Sequence, residues 1–212
     1  MMMLESIDRW MTAMVSDEGS GGEGPDVSME AVVISKERGV ICGTFVIDRL
    51  LETHYPSCSV EWKVSEGSIV EVGDEVLRIS GNGVEMLRSE RVLLNIIGRL
   101  SGISTNSSRW INEAGSMGVA STRKVDWGLL DKWAVHVGGG LTHRLSREDA
   151  LMIKDSEVLS SRVGDETEDE ALARLVLEID MDANSSFTVI EVRVIEQALT
   201  CLLYTSPSPR DR

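Results

Sequence analysis

Charged residues stand at the ends of three apolar runs. VASTRK (119–124) closes on Arg123–Lys124, ALMIKDS (150–156) on Lys154–Asp155, and FTVIEV (187–192) on Glu191 and its following valine. In α/β barrels and open parallel sheets, ligands bind beyond the C-terminal ends of the strands. Cationic ends on two consecutive strands would therefore converge on one anionic ligand. A single such lysine is more often a snorkelling surface residue; two strands in succession are harder to ascribe to chance. Between them, VGGGLTHR adds three glycines that permit close backbone approach, followed by His143 and Arg144. By itself the glycine run is explained equally well by a tight turn.

The charge distribution points the same way. From Arg88 to Lys154 there are ten basic and six acidic residues, a local excess of +4 in a chain of net charge −14. The overall charge argues against nucleic acid or a membrane surface as partner, because a polyanion would repel it. A basic island in an acidic chain suits a pocket for a small anion. The bland alternative is a solvated surface with charges placed at random.

The elements that must position these residues follow from pattern. Hydrophobic residues make up 42% of the 212, enough for a sizeable core. No apolar run approaches the ~18 residues of a membrane span, and MMMLESIDRW lacks an export-signal pattern. Cys42, Cys58 and Cys201 are too scattered for a disulfide framework or a zinc site. A soluble, cytoplasmic chain is expected. Residues 17–26 (DEGSGGEGPD) read as a loop after a short helix, and Ser28 to about Leu87 as β-rich: MEAVVIS, GVICGTFVI, SVEWKV, SIVEVGDEVLRIS.

Next, SERVLLNIIGRLSGIS carries Leu93, Ile96, Ile97 and Leu100 at helical spacing, with Ser89 as the expected N-cap. The three charged-end strands then alternate with helices over about 127–135, 165–180 and from near 194. That alternation implies right-handed parallel crossovers. Asp126 is expected to cap the helix after it. Trp110, Trp127 and Trp133 are expected in the core or an interface, with His136 packed beside Trp133. The final CLLYTSPSPRDR breaks the pattern and resembles adaptor read-through, so residues 201–212 are set aside as non-native and the natural chain is expected to run on past about Thr200.

In order and spacing, SERVLLNIIGRLSGIST, the STRK stretch, DKWAVHVGGGLTHRL, ALMIKDS and VIEV resemble the quinolinate phosphoribosyltransferases (nicotinate-nucleotide pyrophosphorylase, carboxylating). ERGVICG and EGSIVEVGDEVLRISG resemble that family's N-terminal domain, so the likeness covers roughly residues 5–200. It implies an α/β fold of the type II phosphoribosyltransferase kind: an N-terminal α+β sandwich domain (1–106, with its linking helix) followed by an incomplete α/β barrel (107–200).

The resemblance also implies a reaction in de novo NAD biosynthesis. Quinolinate and phosphoribosyl pyrophosphate give nicotinate mononucleotide, pyrophosphate and carbon dioxide, with Mg2+ accompanying the phosphoribosyl pyrophosphate. Arg91, Arg123, His143, Arg144 and Lys154 resemble the residues that bind the quinolinate carboxylates, with Arg91 reaching into a neighbouring subunit's site. Lys124 and Lys154 would meet phosphate or pyrophosphate. Glu191 resembles an acidic residue near the ribose and the metal, reached directly or through substrate. A homodimer or higher homo-oligomer is implied for the full-length protein, and the 212-residue chain alone is expected to be inactive.

The chain departs from the family pattern at Val125–Leu130 after the Arg-Lys pair, at Thr142 where an Asn usually stands, and at Ser156–Glu157 where Asn-His usually follows Lys-Asp. Nicotinate phosphoribosyltransferase or a related paralogue is the enzyme alternative. A lipoyl- or biotinyl-like carrier module is the non-enzyme alternative, suggested by VSEGSIVEVGDEVLRISG. It would need a modifiable lysine on an exposed hairpin, whereas the lysine at hand, Lys63, lies in the run EWKV.

Overall fold

A computed structural model describes residues 2–19, 24–145, 149–178 and 188–205. They form two compact units, one up to His143 and one from Arg144 on.

The first unit begins with α1 (Met2–Glu18), which buries Ile7 and Met11 completely. Strand β1 (Ser28–Ile34) follows, then β2 (Gly39–Val40), α2 (Thr44–His54), β3 (Ser59–Trp62), β4 (Ile69–Val70) and β5 (Glu75–Asn82). The strands pair antiparallel as one three-stranded sheet, in the order β1-β5-β3, and one two-stranded sheet, β2-β4. Two helices complete the unit, α3 (Gly83–Ala114) and α4 (Leu129–Val137). Val46, Ile47, Leu50, Leu77, Ile96, Leu100 and Leu130 lie at the centre of its core.

Two local expectations fail here. GVICGTFVI is not one strand: only Gly39–Val40 pairs, and α2 starts at Thr44. The break falls at Gly43, whose left-handed φ of 107° is open to glycine at little cost. The long helix is also longer than its apolar repeat suggested. Its N-cap is Asn82, whose side-chain oxygen accepts the Val84 N–H at 2.9 Å, while Ser89 is buried mid-helix and donates to the Met86 carbonyl. Helix α3 thus runs unbroken across residue 106.

The second unit contains β6 (Leu151–Ile153), α5 (Asp155–Ser161), α6 (Glu168–Glu178), β7 (Thr188–Ile190) and α7 (Ile195–Thr205). Strands β6 and β7 are parallel, with Ile153 opposite Ile190, and the crossover between them carries α5 and α6. A small core of Ile153, Val158, Ala171, Leu172, Val176 and Cys201 lies beneath. The expected strand over 119–124 is reduced to a single parallel bridge, Ala120 to Leu141. The start of the 187–192 run, the end of the 165–180 helix and residues 206–212 lie outside the described residues. The fold is α/β, an N-terminal α+β part leading into parallel strand–helix units. Among the described residues no helix is long and apolar enough to cross a membrane.

Candidate active site

The first cationic strand end is built from the Ala120–Leu141 bridge. The Leu141 N–H donates to the Val119 carbonyl and the Ser121 N–H to the Leu141 carbonyl, both at 2.8 Å. Arg123 and Lys124 follow Ser121 in an exposed loop, and the Lys124 N–H donates to the Thr122 hydroxyl at 3.0 Å. His143 stands two residues beyond Leu141. The structure therefore brings Arg123–Lys124 and His143 to the ends of two adjacent parallel segments. His143 has φ 54°, the one non-glycine residue at positive φ among the described residues. That conformation costs an L-residue roughly 1–2 kcal/mol.

A pair of buried charges on α4 organises this loop. Asp131, 4% exposed, accepts both arms of the Arg99 guanidinium (3.0 and 2.8 Å) and the N–H groups of Asp126 and Trp127 (3.0 Å each). It is Asp131, not Asp126, that satisfies the backbone entering α4. The Asp126 carboxylate instead meets Arg99 at 3.0 Å, and the Arg99 guanidinium lies 4.8 Å over the Trp127 ring, which stacks on Trp10. Lys132, 3% exposed, reaches the Ser121 hydroxyl at 3.3 Å and the Thr142 carbonyl.

Neither charge on α4 stood out in sequence as a site residue. The signal was there: two adjacent charges in LLDKWAVHV, a segment too apolar to have a solvated face. A third missed residue is Glu66. Its carboxylate accepts the N–H groups of Gly43 and Thr44 at the start of α2 (3.0 and 2.9 Å) and the Trp133 ring N–H at 2.8 Å. Burial pushes its acid strength down, yet these donors outweigh burial and hold the group below the usual glutamate range. Trp133 packs edge-on to Phe45 and beside His136, whereas Trp110 is exposed. Burial raises the Cys42 thiol well above its ordinary value.

Arg91 lies on the exposed side of α3 and pairs with Glu18 of α1. Nothing in this unit brings it to Arg123, Lys124 or His143 among the described contacts.

In the second unit, Lys154 directly follows β6 and Glu191 directly follows β7. The Glu191 N–H donates to the Ile153 carbonyl at 2.9 Å, so both exposed side chains leave the same end of the strand pair. The Lys154 N–H is held by the Glu157 carboxylate at 2.8 Å, at the start of α5. Ser156–Glu157, a departure from the family pattern, thus makes a helix cap. Arg144 is buried: its guanidinium donates to the Ala150 carbonyl at 3.1 Å and contacts the Met152 sulfur at 3.3 Å. Its Nε–H has no partner among the described residues.

No three His, Cys, Asp or Glu side chains gather as a metal cluster among the described residues. One carboxylate at Glu191 fits magnesium only as an ion carried in by a diphosphate, which supplies most of its ligands.

Comparison with known proteins gives a consistent result. Residues 11–101 match the family model "Quinolinate phosphoribosyl transferase, N-terminal domain", and residues 103–202 match its C-terminal domain. A chloroplastic nicotinate-nucleotide pyrophosphorylase [carboxylating] of Arabidopsis thaliana is 35% identical over 190 residues, covering 86% of this chain and 52% of that protein. The chain spans about half the length of the curated relatives it matches. The crystal structure of NadC from Streptococcus pyogenes superposes with a TM-score of 0.75 at 26% identity, covering 91% of this chain and 71% of that one. The nicotinate-nucleotide pyrophosphorylase from Francisella tularensis, at 22% identity and a TM-score of 0.79, shares the fold over 94% of this chain and 72% of its own.

Proposed function

The chain belongs to the quinolinate phosphoribosyltransferase family, and on that premise we propose that it serves the transfer of phosphoribose from phosphoribosyl pyrophosphate to quinolinate. The products are nicotinate mononucleotide, pyrophosphate and carbon dioxide. The observation that carries this reading is the adjacency of the cationic Arg123–Lys124 pair and the His143 imidazole at the ends of the two segments joined by the Ala120–Leu141 bridge.

The chemistry suits such a site. The quinolinate ring nitrogen attacks the anomeric carbon while the bond to pyrophosphate breaks, through a transition state of oxocarbenium character. Arg123 and Arg144 are suited to hold carboxylates, because a planar guanidinium binds them through two parallel hydrogen bonds. Lys124 and Lys154 oppose the charge of phosphate or pyrophosphate, and Glu191 offsets positive charge developing on the ribose. Magnesium would supply further neutralisation of the diphosphate. Glycosylation leaves the ring nitrogen positive, so the adjacent carboxylate can depart as carbon dioxide and a proton takes its place on the ring.

Nicotinate as substrate is the second reading. It is favoured by Arg144, whose guanidinium is turned toward Ala150 and Met152 and would have to leave them to clamp a second carboxylate. We place the activity in the cytoplasm, although the Arabidopsis relative is named as chloroplastic. A homodimer or higher homo-oligomer is the expected assembly of the full-length protein. It is supported by the exposed Arg91 on α3 and by an apolar cleft of about 450 Å³ between β1 and α3, rimmed by Val32, Leu87 and Leu94.

Carbon dioxide release from carboxyl-labelled quinolinate, with the chain extended to its relatives' length, tests the reading. Label released as carbon dioxide, together with nicotinate mononucleotide, is expected. Turnover of nicotinate alone would replace the substrate, and lipoylation or biotinylation would support a carrier module instead. Arg123→Lys or Arg144→Lys should each lower kcat/KM by about thirtyfold to a hundredfold, or 2–3 kcal/mol.

A further inference from the structure

Lys132 has an unusual placement for a lysine. The residue is 3% exposed, and desolvating such a charge costs several kcal/mol unless the geometry returns it. Its reach is directed at the ends of the two bridged segments. One contact is the Ser121 hydroxyl at 3.3 Å, two residues before Arg123; the other is the Thr142 carbonyl, immediately before His143. The Ser121 hydroxyl also donates to the Thr142 carbonyl at 2.9 Å. Ammonium, hydroxyl and carbonyl thus close a small ring across the two segments.

The residue after that carbonyl is His143, in the left-handed region. A non-glycine residue stays there only when its surroundings over-determine it. The ψ of Thr142 sets the direction of its carbonyl, and the peptide joining Thr142 to His143 fixes where the histidine's own backbone starts. Holding the carbonyl from two sides therefore holds the turn.

We propose that Lys132 is a positioning residue: through the Thr142 carbonyl and the Ser121 hydroxyl it fixes His143 in its left-handed turn beside Arg123–Lys124. Lys132 touches no substrate in this scheme. It sets the direction in which the imidazole leaves the strand end, and the spacing between that imidazole and the neighbouring cations. The inference rests on the functional reading above only for its consequence in binding; the conformational claim stands without it.

The test is chosen to separate the two. In Lys132→Met, which keeps the volume of the side chain and removes the charge, the amide-to-Hα coupling and Cα–Hα couplings at His143 report its φ directly by NMR on the 212-residue chain. The expected result is loss of the left-handed signature while the amides of α3 keep their parent shifts. If that variant does not fold, Ser121→Ala removes the other arm of the ring and should shift the His143 couplings in the same direction by a smaller amount. A left-handed His143 in a folded Lys132→Met, or unchanged couplings in Ser121→Ala, overturns the proposal. In the extended chain, Lys132→Met should raise KM for the pyridine carboxylate roughly tenfold, with a smaller change in kcat. An unaltered KM alongside released His143 couplings would overturn the role in binding. No turnover of quinolinate by the parent would remove the functional reading and leave the coupling result as it is.

Discussion

Two sets of residues in this chain use charge in opposite ways. Inside the first unit, Asp131 and Lys132 are buried, Glu66 is half-buried, and all three are held by donors or acceptors. At the strand ends, Arg123, Lys124, Lys154 and Glu191 are exposed. A buried, fully partnered charge fixes backbone, because each of its hydrogen bonds must be kept or a desolvated group is orphaned. An exposed charge fixes nothing and stays available to a ligand. The difference teaches that charges holding backbone in place are told apart by burial from most of those proposed above to meet substrate, Arg144 being the buried exception.

Breaking the interior set should show this most strongly. Asp131→Ala leaves Arg99 with one carboxylate and strands two N–H groups at the entry to α4. A loss of about 3 kcal/mol is expected, read from the urea midpoint. A loss below ~1 kcal/mol would mean that water replaces the carboxylate and the interior is not what shapes the loop.

Glu66→Gln should cost less, about 1–2 kcal/mol, since an amide keeps one acceptor for the start of α2. Glu66 also sharpens the comparison through pH. Its folded-state carboxyl is held below the ordinary range, so the folded state binds its proton more weakly than the unfolded chain. Its contribution is complete above about pH 5 and is lost as pH falls through the folded value. Denaturant unfolding of parent and Glu66→Gln at pH 7 and pH 3 should show a difference that narrows in acid. An unchanged difference would place the carboxylate in water.

The rim should respond least in stability. Lys124→Ala, Lys154→Ala and Glu191→Gln are each expected within about 0.5 kcal/mol of the parent. A larger effect at any of the three in thermal unfolding would move that residue from the exposed group to the structural one.

Much of the frame was legible because periodicity reports burial. The Leu93, Ile96, Ile97, Leu100 repeat gave α3, and short apolar runs closed by charge gave β6 and β7. The rim residues were legible for the same reason: they follow apolar runs directly. What escaped depends on partners distant in sequence. Thr44–His54 looks strand-like as TFVI, and becomes a helix because Glu66, more than twenty residues later, receives its first N–H groups. Asp126 had the spacing of a cap, but Asp131 lay closer in space to the N–H groups in need. The short α5 carries one buried residue, Val158, too few to mark a period.

Helix α3 sets a ruler on the whole first unit. Its 32 residues extend about 48 Å at 1.5 Å per residue. Ser101 and Thr105 accept the N–H groups of Cys42 and Val40, while Ser104, between them in sequence, donates to the Ala134 carbonyl of α4. Gly138, at the end of α4, approaches so near that a Cβ there would lie 2.3 Å from the Ser104 carbonyl oxygen. Met86 and Leu93, further back, belong to the core that includes Leu77 and Ile79 of β5. One inserted residue between Leu93 and Ser101 would turn everything downstream by about 100° and shift it 1.5 Å. The hydroxyls that now meet the Val40 and Cys42 N–H groups and the Ala134 carbonyl would point elsewhere. A change of length in a loop of this unit therefore disturbs far less than the same change in this helix.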